Sequence, residues 1–171
     1  MEKIIHKYID KSLIDEKQDK KISNILRVKN DCSFNASVES LLNLHKSIIT
    51  EKEQQFFAWV LRTLPSHAWK THFLLAYKIK DEIKKIFQIK RKSVWEILTW
   101  CIDTINVIHP FLDWNRRTIW KYTNMWLKWE WYKEIDWEIF RPFWEKYIYS
   151  NKTEFLNLML KELENNIYIK K

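Results

Sequence analysis

The chain has 171 residues and a mass of 21.3 kDa, enough for one domain burying roughly 70% of its unfolded surface. Hydrophobic residues make up 46% of it, which excludes a wholly disordered chain, and its longest uninterrupted apolar run, residues 56–61, is far too short for a membrane span. With 30 basic against 22 acidic residues, the formal charge of +8 favours anionic partners such as nucleotides, RNA or acidic proteins.

Ile5, Tyr8, Ile9 and Leu13 fall at helical spacing and predict a first amphipathic helix over residues 2–16. A charged break at 17–21, a short helical stretch at 22–28 and a polar loop at 30–35 come next. Residues 36–49 predict a helix with Val38, Leu41, Leu42, His45, Ile48 and Ile49 on one face, where His45 reads as a hydrogen-bonded core histidine rather than a ligand. Thr50-Glu51-Lys52-Glu53 reads as a capping box. Residues 63–72, with Pro65 and Ser66, break the periodicity, and their alternation is too poor to demand a hairpin.

Ile79, Ile83, Ile86 and Phe87 mark an amphipathic helix ending near Lys92. Between 78 and 92 seven basic residues meet two acidic ones, which reads as a solvated helix face ahead of a docking surface or a nucleic-acid contact. Ser93 and Glu96 form the clearest capping box in the chain. They open a helix on which Val94, Ile97, Leu98, Cys101, Ile102, Ile105 and Ile108 keep helical spacing, a buried rod that delivers His109. Cys32 and Cys101 are too few and too far apart for a metal site, and Cys101 reads as a small core residue. Beyond residue 134, an aromatic helical stretch at 135–149 carries Pro142, and Phe155, Leu156, Met159, Leu160 and Leu163 predict a last helix before a polar tail. Six to eight helices with little strand give an all-α fold, and the absence of a signal-peptide core predicts a cytoplasmic, reduced protein.

Between these helices lies the stretch that concentrates chemistry. His109, Asp113, Asn115 and Arg117 fall within nine residues, in a loop that closes one helix at His109-Pro110 and opens the next. Asp113 and Asn115 both suit an N-cap, and the uncapped amides of a helix start attract phosphate, beside Arg116 and Arg117. Ile119, Tyr122, Trp126 and Trp129 then form one stripe, with Lys121 and Lys128 on another. Taken singly, these residues are a helix stop, a cap and surface charge. A membrane-surface helix, suggested by Trp120, Trp126, Trp129 and Trp131 among lysines, has too little charge on its polar face.

The segment resembles the Fic/Doc signature His-Pro-Phe-x-Asp-Gly-Asn-Gly-Arg-Thr with its downstream Asn. His109, Pro110, Phe111, Asp113, Asn115, Arg117, Thr118, Asn124 and Leu127 match in register. Trp114, Arg116 and Trp131 stand at family Gly positions, and the second Arg of the Fic-proper motif would fall at Trp120, next to Lys121. Upstream, Leu44-His45-Lys46 and Ala58-Trp59-Val60-Leu61-Arg62-Thr63 resemble two further family segments, again with Trp59 at a Gly position. The resemblance implies an N-terminal helical extension over 1–35, a Fic-like domain over 36–165 and a polar tail over 166–171, with a small flap hairpin or loop before the motif-bearing helix pair.

It also implies a transferase using ATP and Mg²⁺. His109 would be the base for a target hydroxyl, and Asp113 the Mg²⁺ ligand. Asn115, Arg116, Arg117, Thr118, Trp114 and Lys121 would surround the nucleotide, while Trp59, Arg62 and Thr63 would belong to the flap that docks the target. The family's Fic-proper branch moves AMP to a Ser, Thr or Tyr of a target protein, and the Doc branch moves a phosphate; AMP transfer is the expected reaction here. Partners are implied in kind: a target protein and an antitoxin, with neither nucleic acid nor a membrane expected. The sequence does not set the oligomeric state. Asn35 and Glu39 faintly resemble the family's inhibitory motif, but the Arg that its Glu pairs with is missing at 120.

Composition bears on the departures. An average of about 7% Gly would put about 12 in a chain of this length. This chain has 0 Gly and 11 Trp. Two readings are open: a gene that uses UGA for Gly, written out as though UGA meant Trp, or a Trp-rich degenerate copy in which an indole at 114 leaves a catalytically inactive binding protein. A phosphate cradle needs close-approaching amides at positive φ, which Gly adopts freely and Trp does not.

Overall fold

The structure, a computed structural model, describes residues 34–49, 56–68, 71–88 and 93–137 together with Glu154, Asn157 and Lys161. The helices expected over 2–16 and 22–28, the capping box at 50–53 and nearly all of the two C-terminal helices lie outside the described residues. Glu154, Asn157 and Lys161, within the expected last helix, are helical.

Helix α1, Val38–Ile48, begins at Ser37, whose hydroxyl accepts the Ser40 amide at 3.1 Å while the Ser40 hydroxyl accepts the Ser37 amide at the same distance. This is a capping box in which serine replaces the usual Glu or Gln. An extended Ile49 ends the helix. After the segment at 56–66 comes a hairpin of two-residue strands, β1 (His67–Ala68) and β2 (Thr71–His72), paired antiparallel with His67 opposite His72. Helix α2 is Ala76–Gln88. Helix α3, Val94–Asp103, carries the predicted Ser93/Glu96 capping box and widens into a π-helical turn at Thr104–Ile108. Helix α4 is Asn115–Trp129. Among the described residues the protein is helical apart from that short hairpin, and no helix is long and apolar enough to cross a membrane.

Helix α4 is the hub: it packs on α1, α3 and the π turn, while α2 packs on α1 and the π turn. Helix α3 is buried at nearly every position, consistent with apolar residues at seven of its ten positions. Phe87, Trp100, Tyr122 and Trp126 meet with ring centroids 5.3–6.4 Å apart. An aromatic side chain of this kind buries about 150–250 Å², worth roughly 4–6 kcal/mol gross at about 25 cal/mol/Å². That outweighs its helix-propensity deficit of well under about 1 kcal/mol. A second small apolar cluster, Ile79, Ile83 and Ile108, packs against Leu61 and Leu74 on either side of the hairpin. Tyr122 ties α4 to the start of α1: its hydroxyl lies 2.7 Å from the Ser40 hydroxyl and 2.9 Å from the Ser37 amide, and burial pushes its pKa up to about 12. Cys101 is fully buried, as its stripe predicted, and its thiol is likewise pushed up to about 12 by burial.

Two expectations change at the C-terminal end of α4. Trp129 is 42% exposed rather than part of the buried stripe, because the helix ends there. Ile135 lies outside any helix and is bound on both its amide and its carbonyl by the Asn124 side chain, at 3.0 and 2.9 Å. Glu130 closes the helix, and Trp131 comes next with φ 70°. The Tyr132 amide reaches the Leu127 carbonyl at 2.8 Å and the Trp131 amide reaches the Lys128 carbonyl at 3.1 Å. Those paired bonds define a Schellman motif, whose left-handed position is ordinarily glycine.

Candidate active site

His109 is presented by the end of the buried α3 rod. The His109 amide bonds back to the Thr104 carbonyl at 2.8 Å, five residues earlier, so the last turn holds one residue more than an α turn. Such a turn re-aims the residue after it. His109 itself has φ 47° and ψ 65°, which stops the helix; the pre-proline rule predicted an extended residue, and the structure has a left-handed one, a region histidine enters more readily than most residues. Its Nδ1 lies 2.8 Å from the Ile105 carbonyl, which can only accept, so Nδ1 carries the proton and Nε2 of the neutral ring is left as the base. Phe73 stacks on the ring, centroids 3.9 Å apart and planes 7° from parallel. Burial lowers the His109 pKa, the Ile105 bond opposes that, Arg62 adds to the lowering, Asp113 opposes it, and Arg116 adds to it again. The imidazole is therefore neutral at neutral pH and within electrostatic reach of Asp113 and Arg116.

Arg62 holds this turn against the chain on either side of the hairpin. Its Nε donates to the His109 carbonyl at 2.6 Å, Nη1 to the Leu64 carbonyl at 2.8 Å, and Nη2 to the carbonyls of Ile108, at 3.1 Å, and Leu74. Its amide adds a bond to the Pro110 carbonyl at 2.8 Å. The carbonyls that end a helix carry partial negative charge, and a guanidinium with a fixed fork of donors matches several of them at once. Arg62 is only 4% exposed, so it braces the segments on either side of the hairpin and the His109 turn, and its side chain is not at the surface expected of a target-docking residue. Thr63 beside it is exposed.

The loop 110–114 is held from inside. The Asn115 side chain accepts the Phe111 amide and donates to the Phe111 carbonyl, both at 2.8 Å. Both ends of its amide are thus taken up within the loop, and the nucleotide contact expected of that side chain is replaced by a staple. Phe111 stacks on His45, centroids 3.7 Å apart. His45 is fully buried; its Nδ1 accepts the Trp59 amide at 3.2 Å, so Nε2 carries the proton that reaches the Asp113 carbonyl, also at 3.2 Å. Burial lowers its pKa against the opposing effects of the Asp113 bond and charge. One neutral imidazole therefore joins α1, the segment leading to the flap and the motif loop. Sequence reasoning placed His45 in the core but missed this bridging role, since no periodicity shows which backbone groups a buried ring will meet.

At the start of α4 the cap is neither Asp113 nor Asn115 but Trp114, left-handed with φ 62° and ψ 14° and making no side-chain cap bond. Asp113 is exposed and accepts the Trp114 amide on Oδ1 at 2.6 Å. The Trp114 side chain caps none of the first-turn amides of α4, an arrangement that favours an anion. Arg116 is half-buried, with its guanidinium 5.9 Å from the Trp120 ring, while Arg117 is exposed, 4.2 Å from the Trp114 ring. Lys121 lies one turn beyond Arg117 and is also exposed. Thr118 is fully buried, facing the interior rather than a ligand. Trp59, 50% exposed, lies under the Lys46 ammonium at 3.8 Å.

The structure thus brings His109 within electrostatic reach of Asp113 and Arg116, puts Arg117 and Lys121 on the exposed side of the same helix start, engages Arg62 and Asn115 with backbone groups, and buries Thr118. Among the described residues no three His, Cys, Asp or Glu side chains stand together, so any cation here rests on Asp113 and on oxygens that the ligand brings. No protein-family model matches the chain, and no curated protein matches it.

Proposed function

We propose that the chain is a Fic/Doc-type transferase that moves AMP from ATP to a Ser, Thr or Tyr hydroxyl of a target protein. The observation that carries this reading is the state of His109. Its Nδ1 proton is bound to the Ile105 carbonyl, leaving Nε2 as a base beside a helix start whose amides the Trp114 side chain leaves uncapped. A neutral imidazole held in one tautomer suits general-base work on a hydroxyl.

Nε2 takes the hydroxyl proton, the oxygen bonds to the α-phosphorus, and the bond to the β-phosphate oxygen breaks, releasing pyrophosphate. The first-turn amides of α4 and the Arg116 and Arg117 guanidinium groups offset the charge that gathers on the phosphate oxygens. Asp113 is exposed with only Oδ1 engaged, which fits a Mg²⁺ held by one carboxylate and completed by phosphate oxygens. Bound there, the cation would supply charge neutralisation. Asn115 keeps the loop in the shape that aligns His109 with the amides, and Arg62 keeps His109 under the flap.

Two further readings have their own support. Arg116 within the motif and Trp120 at the site of the second Arg suit the Doc-like alternative, in which the nucleotide lies inverted and phosphate is moved. The 4.2 Å approach of Arg117 to the Trp114 ring suits a catalytically inactive binding protein, since the indole covers a cation that phosphate needs.

The test combines Trp59→Gly, Trp114→Gly and Trp131→Gly in one chain and supplies ATP labelled at the α- or the γ-phosphate, Mg²⁺ and a cell extract. The proposal expects α-label on a protein band and its loss with His109→Ala. Undiminished labelling in the Ala variant removes His109 as the base, and γ-label alone selects the phosphate-moving alternative. Label in the Gly form, with neither label nor nucleotide binding in the chain that keeps Trp114, selects the inactive binding protein.

A further inference from the structure

Among the described residues four non-glycine residues have positive φ, and three of them are tryptophan: Trp59 at 66°, Trp114 at 62° and Trp131 at 70°. A positive φ is uncommon for any residue with a Cβ and is a genuine outlier for a bulky one. Each of the three turns has its own reason to be left-handed. Trp131 is the C′ residue of the Schellman motif that ends α4. Trp114 turns the chain from the Asp113 cap bond into α4. Trp59 brings its amide onto the buried His45 ring, and the Asp113 carbonyl meets the same ring one residue before Trp114. Trp59 and Trp131 are half exposed, so no core requires an indole there, and the chain contains no glycine anywhere.

We infer that positions 59, 114 and 131 are glycine in the protein as its own cells make it, and that its gene encodes them with UGA. The inference stands on backbone geometry and composition and does not depend on the proposed reaction. Dihedral angles speak only for these three; tryptophans inside helices carry no such signature. The substitution changes the site. Without the indoles at 59 and 114, the Lys46 ammonium and the Arg117 guanidinium, now 3.8 and 4.2 Å from those rings, are uncovered beside the motif loop, and the amide at 114 becomes approachable by an anion.

The test reads the codons at the three positions and the tryptic peptides of the protein isolated from its source cells. UGA at all three is expected. The peptide spanning 53–62, in which Trp59 is the sole tryptophan, is expected at the mass of the Gly form and without indole fluorescence. UGG at any of the three, or a 53–62 peptide with the mass and fluorescence of Trp, overturns the inference.

Discussion

The left-handed turn at 131 permits a comparison in which the indole cancels out. Trp131→Ala and Trp131→Gly remove the same contacts and differ only in the Cβ. An L-residue in the left-handed region costs about 1–2 kcal/mol, and glycine gives back about 0.5–1 kcal/mol in backbone entropy. The Gly variant should therefore be the more stable by about 1 kcal/mol, or about 2–4 °C in melting temperature for a chain of this size. Trp129, two residues earlier, is helical and similarly exposed, at 42% against 48%. There the order should reverse, Gly falling below Ala by about 1 kcal/mol. Positions 114 and 131 flank α4, whose 15 residues rise about 22 Å, so their effects should add. Thermal melts of the six single variants, Ala and Gly at 114, 129 and 131, and of the 114/131 pairs give the answer. An Ala variant at 131 as stable as the Gly variant would refute the assignment of that turn and, with it, the strain argument for tryptophan there.

Two more outcomes are expected from the buried rings. Burial lowers the pKa of both His45 and His109 below 6.5 in the folded chain, so between 6.5 and those lowered values the unfolded state binds more protons. Stability should be full above pH 6.5 and fall as pH drops below it, and His45→Phe and His109→Phe should each flatten that slope in melts taken across the range; an unchanged slope would contradict the burial described. At neutral pH, His45→Phe keeps the stack on Phe111 but leaves the Trp59 amide and the Asp113 carbonyl without their partner. A loss of about 2 kcal/mol by urea unfolding is expected, and a value near zero would show that the bridge holds nothing.

The helices were legible from their apolar period, reinforced at Ser93 by its capping box; the Ser37 box escaped notice because serine stands where Glu or Gln is usual. The π turn was not, because Ile102, Ile105 and Ile108 keep the spacing of an unbroken α helix across it. Of the site, His109, Asp113 and Arg116 are legible as a group from their places in one motif. Asn115 and Arg62 have outward roles by motif position, and the structure gives both to the interior. A carboxamide has a donor end and an acceptor end, which the backbone carbonyl and amide of Phe111 match, and a guanidinium beside a row of helix-end carbonyls is drawn inward. Motif position shows which residue types cluster, but not whether backbone groups will claim them first. The unusual tryptophans at 59, 114 and 131 were visible in composition and register, and the dihedral angles supply the geometric reason that composition lacked.

The Arg62 bracket has a mechanical consequence. One planar group grips the chain before the hairpin at Leu64, the chain after it at Leu74, and the His109 turn itself, so the three cannot shift independently. A force applied to the hairpin is transmitted through a rigid cation to the carbonyl of the residue that carries the imidazole. Displacement of the hairpin and orientation of the imidazole are, in this molecule, coupled through a single side chain.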